Sequence, residues 1–154
     1  MRNDTEPGEH QVSYFVTVRT FQCRSVFHEE RRAIALVDLI ENLRRQMGFK
    51  KYAYVVLPDH YHVLLGGGPP SAAVADAILA INRAMERFIE VGDNGQPLWD
   101  DEPEVLVIYT AQSRVEKLNY IHQKPVLCGI AERPQDYAYS SAAFYFQRYG
   151  KTEF

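Results

Sequence analysis

The sequence predicts an α+β fold: a ferredoxin-like antiparallel sheet in β-α-β-β-α-β order, both long helices on one face, and two helices after it. Three observations predict it. Short runs of aromatic and β-branched residues recur four times along the 154 residues. Two stretches with apolar side chains at helical spacing lie between those runs. A bare Pro58-Asp59 step joins the second and third runs, which makes them a hairpin.

Residues 14–21 are aromatic and β-branched and form the first strand. Residues 30–47 place Leu36, Ile40, Leu43 and Met47 at helical spacing, and Gly48 ends that helix. Residues 52–57 and 60–65 are the hairpin strands. The Gly66–Pro70 stretch breaks the pattern, and Ser71 caps a helix to about Val91, with Val74, Ile78, Ile81, Met85 and Phe88 on one face and a stop from Gly92 to Gly95. Residues 105–109 are a strand. Ser113-Arg114-Val115-Glu116 fits a capping box, so a helix starts there and ends at Pro125. Residues 139–149 form a last short helix entered through Ser140-Ser141.

Size and composition suit one domain over 1–154, with residues 1–12 as a flexible tail. Apolar runs are too short to span a bilayer and the first residues carry no apolar signal core, so a cytoplasmic protein without membrane attachment is expected. Cys23 and Cys128 have no metal-type spacing and read as reduced, partly buried thiols. The net charge of −3 argues against a general nucleic-acid binder. Its distribution does not: residues 1–51 carry +2, residues 52–112 carry −7 and residues 113–154 carry +2, so the two ends could build a local basic groove.

Two features carry chemistry. His60 and His62 stand at i and i+2 on a strand and therefore share a face, which suits one divalent metal; Tyr61 points the other way, into the core. On the late helix, at about 100° per residue, Val115, Leu118 and Ile121 form the apolar stripe. Tyr120 projects from the opposite side with Glu116, Gln123 and Lys124, whereas His122 falls near the stripe and reads as structural.

These residues resemble a known family. Leu57-Pro58-Asp59-His60-Tyr61-His62 resembles the LPDHxH segment of the REP-associated tyrosine transposases. The run from Asn119 to Val126 followed by Gly129 resembles their YIHxNPVxxG segment, Asp136 to Ser141 resembles DYxxSS, and Leu98-Trp99 falls where the family has a tryptophan. The resemblance implies a HUH domain in which His60 and His62 hold magnesium or manganese and Tyr120 attacks a phosphate of single-stranded or hairpin DNA. It implies a 5′-phosphotyrosine adduct, a free 3′-hydroxyl and rejoining by the reverse reaction. Use of Tyr120 in its own subunit or a partner's stays open, so a homodimer is among the expected assemblies. Arg19 and Lys124 are candidate DNA contacts, and Tyr14, Phe15 and Phe21 are candidate base platforms.

The sequence departs from the family at Lys124, where an Asn or Gln usually completes the metal site; an ammonium has no lone pair to offer. Either Lys124 replaces the metal's charge at the phosphate, or Glu116 or Gln123 supplies the third ligand, or the chain is a domesticated, catalytically inactive DNA-binding protein. Glu116, a hard oxygen ligand, favours the second. The acidic run from Asp100 to Glu104 is a further departure and reads as a solvated loop.

Overall fold

The computed structural model describes residues 12–89 and 95–154. The expected tail, apart from Val12, and the stop signal from Gly92 to Asn94 lie outside the described residues. In chain order the elements are β1 (Ser13–Arg19), α1 (Glu30–Met47), β2 (Lys50–Leu57), β3 (His60–Gly66), α2 (Ser71–Phe88), β4 (Glu104–Ile108), α3 (Ala111–Leu127) and α4 (Ala142–Tyr149). The strands form one sheet in the order β2-β3-β1-β4, and every neighbouring pair is antiparallel. This is the predicted architecture.

Strand alternation divides the side chains between two cores. Tyr14, Val16 and Val18 of β1 and Tyr61, Val63 and Leu65 of β3 face α1 and α2, where Leu36, Ile40, Val74, Ile78, Ile81 and Met85 cover them. The other face carries Phe15, Ala53, Val55, Leu57 and Leu64, and Leu118 and Ile121 of α3 pack on it. Both long helices thus share one face, and α3 brings its residues to the other, where the two histidines stand. Tyr14 and Phe15 are buried in these cores and are not base platforms.

Trp99 belongs to the first core. It lies 5.7 Å from the Phe27 ring and donates from Nε1 to the Asn82 carbonyl at 3.0 Å. Tyr61 donates to Asn82 Oδ1 at 2.8 Å, which satisfies the buried phenol while burial raises its pKa far above the ordinary value.

Several local expectations need correction. Ser113 does not cap α3: Thr110 does, its hydroxyl accepting from the Ser113 N–H at 3.0 Å, because the helix follows β4 almost directly. Pro125 lies inside the helix, in its last turn, where few intrahelical bonds remain for it to break. The chain turns out through Gly129 at φ +76°, and Ile130 N–H donates to the Pro125 carbonyl at 3.0 Å. Pro70, not Ser71, occupies the N-cap of α2, which ends at Phe88. The last helix starts at Ala142, not 139. Cys23 and Cys128 are free but exposed.

Ser141 is the N-cap of α4, so the helix is entered through Ser140-Ser141 as expected, and residues 139–141 also cover the edge strand β2. Val56 N–H donates to the Tyr139 carbonyl at 2.8 Å and Ser141 N–H to the Tyr54 carbonyl at 3.0 Å. Tyr137 adds its hydroxyl to the Val56 carbonyl at 2.7 Å. His122 ties this cover to α3. Its Nδ1–H donates to the Thr152 carbonyl at 2.8 Å, so Nε2 accepts from the Ser141 hydroxyl, also at 2.8 Å. The ring is fully buried, as the helical stripe suggested. His122→Leu keeps the volume but strands the Thr152 carbonyl and takes from the Ser141 hydroxyl its 2.8 Å acceptor, so a loss of about 2 kcal/mol is expected in denaturant unfolding. A loss under about 0.5 kcal/mol would show that the network does not hold α3 to the sheet.

Candidate active site

The site lies on the α3 face at the centre of the sheet. Register places His62 opposite Thr17 of β1 and Val55 of β2, and His60 opposite Arg19 and Leu57. The two imidazole centroids are 5.0 Å apart. His60 Nδ1 lies 2.7 Å from Asp59 Oδ1; a carboxylate only accepts, so Nδ1 carries the proton and Nε2 keeps a lone pair. His62 Nδ1 shares a 3.0 Å hydrogen bond with Thr17 Oγ1, and its Nε2 is buried with no hydrogen-bond partner. That orphaned nitrogen beside a second uncommitted imidazole nitrogen is the strongest functional signal in the fold.

Tyr120 joins the pair within the same chain. Its ring stands edge-on to His62 at 5.7 Å and to Phe15 at 6.0 Å, and 38% of the residue is exposed. Tyr120 therefore does not point away from the packed side of α3, as the helical wheel suggested, but flanks it. The buried set is Leu118, Ile121, His122 and Pro125, and its border runs along Tyr120. Lys124 Nζ donates to the Tyr120 hydroxyl at 2.9 Å. Lys117, which sequence patterning did not single out, sits 4.9 Å over the Phe15 ring and 5.8 Å from that of Tyr120. Its signal was the i, i+3, i+7 spacing of Lys117, Tyr120 and Lys124 along one helix edge.

The other expected residues divide. Arg19 lies on the site face beside His60, but its guanidinium pairs with Glu104 at 2.8 Å. Both side chains of that pair are exposed, so it adds little stability. Glu104 is thus a strand residue with a partner rather than part of a free loop. Glu116 is exposed and is not brought to the imidazoles. Among the described residues no group of three or more His, Cys, Asp or Glu side chains is placed to hold a metal ion. Gln123 is half-buried.

Burial pushes the His62 imidazole down to about 3, helped by the positive charge of His60, Lys124 and Arg19 and opposed by a hydrogen bond to the Val16 backbone. Burial also lowers His60, against the raising effect of Asp59. Both rings are therefore neutral donors at neutral pH. An unfolded histidine titrates near 6.5. Between that value and about 3 the unfolded chain takes up a proton that folded His62 refuses. Stability is full above pH 6.5 and falls as the pH drops below it, by an amount on the order of 4 kcal/mol for this residue. Thermal melts from pH 7 to 4 should show the fall, and His62→Gln should flatten it. An equal slope in the variant would place the acid sensitivity elsewhere.

Comparison with known proteins gives a structural likeness without a sequence match. No protein-family model matches the chain, and no curated protein does. A solved structure of a REP-associated tyrosine transposase bound to a REP hairpin superposes with a TM-score of 0.76 at 20% identity, covering 88% of this chain and 79% of that one. A transposase candidate from Deinococcus radiodurans R1 superposes with a TM-score of 0.55 at 24% identity, covering 73% of this chain and 89% of that one. Among the described residues no helix is long and apolar enough to cross a membrane. The chain has the α+β fold of a REP-associated tyrosine transposase, the family its motifs resemble.

Proposed function

We propose that the protein cuts and rejoins single-stranded DNA through Tyr120, acting on hairpin-forming or repeat DNA with a divalent metal. The observation that carries this reading is the Tyr120 hydroxyl, held by Lys124 at 2.9 Å, beside an imidazole pair with uncommitted nitrogens. The fold likeness to a transposase solved with a REP hairpin supports the choice of substrate.

His60 and His62 fit as two nitrogen ligands, because each has its Nδ1 engaged and its Nε2 uncommitted. Two imidazoles with no carboxylate grouped with them as a third ligand among the described residues suit manganese better than magnesium. Remaining ligands would come from the DNA phosphate and water. A bound ion would polarise a phosphate oxygen and neutralise charge during in-line displacement.

The chain's own residues do the rest. The Tyr120 oxygen forms a bond to phosphorus as the bond from phosphorus to the 3′-oxygen breaks, leaving a 5′-phosphotyrosine and a free 3′-hydroxyl. As the Tyr120 proton passes to water, the Lys124 ammonium donates to the phenolate and, from the same helix edge, reaches the scissile phosphate, while the departing 3′-oxygen takes a proton from water. Lys117 adds positive charge on the other flank of the ring. The tyrosyl ester keeps the energy of the broken bond, so the 3′-hydroxyl can reverse the step without a nucleotide cofactor.

The test is an SDS-stable adduct between the purified protein and a REP-type DNA hairpin in manganese. Lys124 itself favours a second reading, a catalytically silent DNA-binding protein, because its charge opposes a metal at the pair. Hairpin binding with no adduct in any divalent metal would select that reading. Lys124→Gln removes the opposing charge, so manganese affinity by calorimetry should rise on the order of tenfold. Unchanged affinity would show that the ammonium does not face the ion.

A further inference from the structure

The two imidazoles of the pair are held by different chemistry. His60 Nδ1 meets a carboxylate, Asp59, at 2.7 Å. His62 Nδ1 meets a hydroxyl, Thr17 Oγ1, at 3.0 Å. Thr17 and His62 face each other across the β1-β3 register, and both are buried, at 5% and 3% exposure. Phe15, two residues before Thr17 on the same face of β1, is apolar and packs in the core there. A hydroxyl in such a place costs stability unless it is hydrogen-bonded, and its partner here is a candidate metal ligand.

We propose that Thr17 is a positioning residue, which holds His62 in the one ring orientation that leaves Nε2 uncommitted for a divalent metal, a role that rests on the metal-assisted reading above. Packing alone does not select that orientation. The His62 ring stacks on Phe15 at 5.1 Å with 18° between the planes. His60 and Tyr120 stand edge-on to it at 5.0 Å and 5.7 Å. These contacts fix the plane of the imidazole. They do not distinguish its two edges, because a half-turn about the Cβ–Cγ bond exchanges Nδ1 with Cδ2 and Nε2 with Cε1 in nearly the same outline. In the turned ring Thr17 would face a carbon, and Cε1, which has no lone pair, would take the place of Nε2. The hydrogen bond to Thr17 makes the two orientations unequal.

The direction of that bond matters as much as its presence. A hydroxyl can donate or accept. The Val16 backbone also takes a hydrogen bond from this ring, and a carbonyl only accepts. Nε2 has no partner, so the donor is Nδ1–H, and Thr17 Oγ1 accepts beside the carbonyl. The lone pair then lies on Nε2, the same nitrogen that Asp59 leaves uncommitted on His60. A neutral hydroxyl suits the deeper of the two rings. A carboxylate at position 17 would bury a charge on the face that carries Phe15 and Leu118.

The experiment compares the native chain with Thr17→Val and Thr17→Ser. Valine keeps the β-branched shape and removes the oxygen, and serine restores the oxygen. Calorimetry with manganese alone should show about tenfold weaker binding in Thr17→Val, in the range for outer partners of ligating histidines, and recovery of most of it in Thr17→Ser. Metal-free melts of each variant separate weak binding from unfolding. Proton–nitrogen correlation spectra of the native, metal-free protein at neutral pH give a second reading that holds even where Thr17→Val does not fold. They should place the His62 proton on Nδ1. A proton on Nε2 would mean that Thr17 donates, and would overturn the positioning role. Equal manganese affinity in the native chain and Thr17→Val, or equal weakening in both variants, would overturn it too. Those results leave the DNA-processing reading standing, because adduct formation through Tyr120 is scored separately. A native protein that neither binds manganese nor forms adduct with a REP-type hairpin rejects both together.

Discussion

Tyr120→Phe is expected to abolish the covalent protein–DNA adduct and to lower strand cleavage on the order of 10⁴-fold or more, because Tyr120 is the tyrosine whose ring stands against the imidazole pair. Little else should change. The phenylalanine ring keeps the edge contacts to Phe15 and His62 and loses only the hydroxyl that Lys124 donates to. That hydrogen bond is exposed, so stability should move by less than about 1 kcal/mol. DNA binding should also survive, since Lys117 and Lys124 remain. The competing tyrosines are committed elsewhere. Tyr61 is spent on Asn82 in the core, and Tyr137 and Tyr145 donate to β2 carbonyls. Burial pushes Tyr137 up to about 12 and raises Tyr145. An adduct that persists in Tyr120→Phe would remove Tyr120 from the chemistry and direct attention to those residues.

His62→Ala is expected to eliminate manganese binding in calorimetry and to reduce cleavage by on the order of 10²–10³-fold. The substitution removes the imidazole Nε2 that the fold buries without a hydrogen-bond partner. It also removes a ring stacked on Phe15 at 5.1 Å, so a folding cost accompanies it. His62→Gln, closer in volume, separates the two: both variants should lose the metal, while only the alanine variant should lose substantial packing. His60→Ala should weaken binding as well, because Asp59 holds that ring by Nδ1 and leaves its Nε2 uncommitted. Manganese affinity unchanged in His62→Ala would mean that the imidazole pair is not the metal site.

Much of this site follows from short-range pattern. The period-2 alternation of residues 60–65 puts His60 and His62 on one face and Tyr61 in the core, whatever the sheet does around them. The Pro58-Asp59 step makes the hairpin and also supplies the carboxylate that holds His60. Helical spacing identified Leu118 and Ile121 as the buried stripe of α3 and His122 as part of it. All of these depend on residues within a turn or two of one another, where backbone geometry alone sets direction.

What the sequence by itself determined, then, is the α+β order of elements, the hairpin, the shared face of the imidazole pair and the burial of His122. Tertiary packing decided the rest. α3 lies on the sheet face opposite α1 and α2, and that placement turned Tyr120 toward His62 and left Glu116 in solvent. Thr17 reaches His62 only through the β1-β3 register, across 45 residues of chain. Ser141 fastens the edge of β2 to α3, and the lysines at the start of β2 meet Phe144 across nearly a hundred residues. Helical period orders the directions of side chains around an axis but carries no information about how that axis sits on the sheet. That angle is set by which apolar surfaces close together, a property of the whole chain.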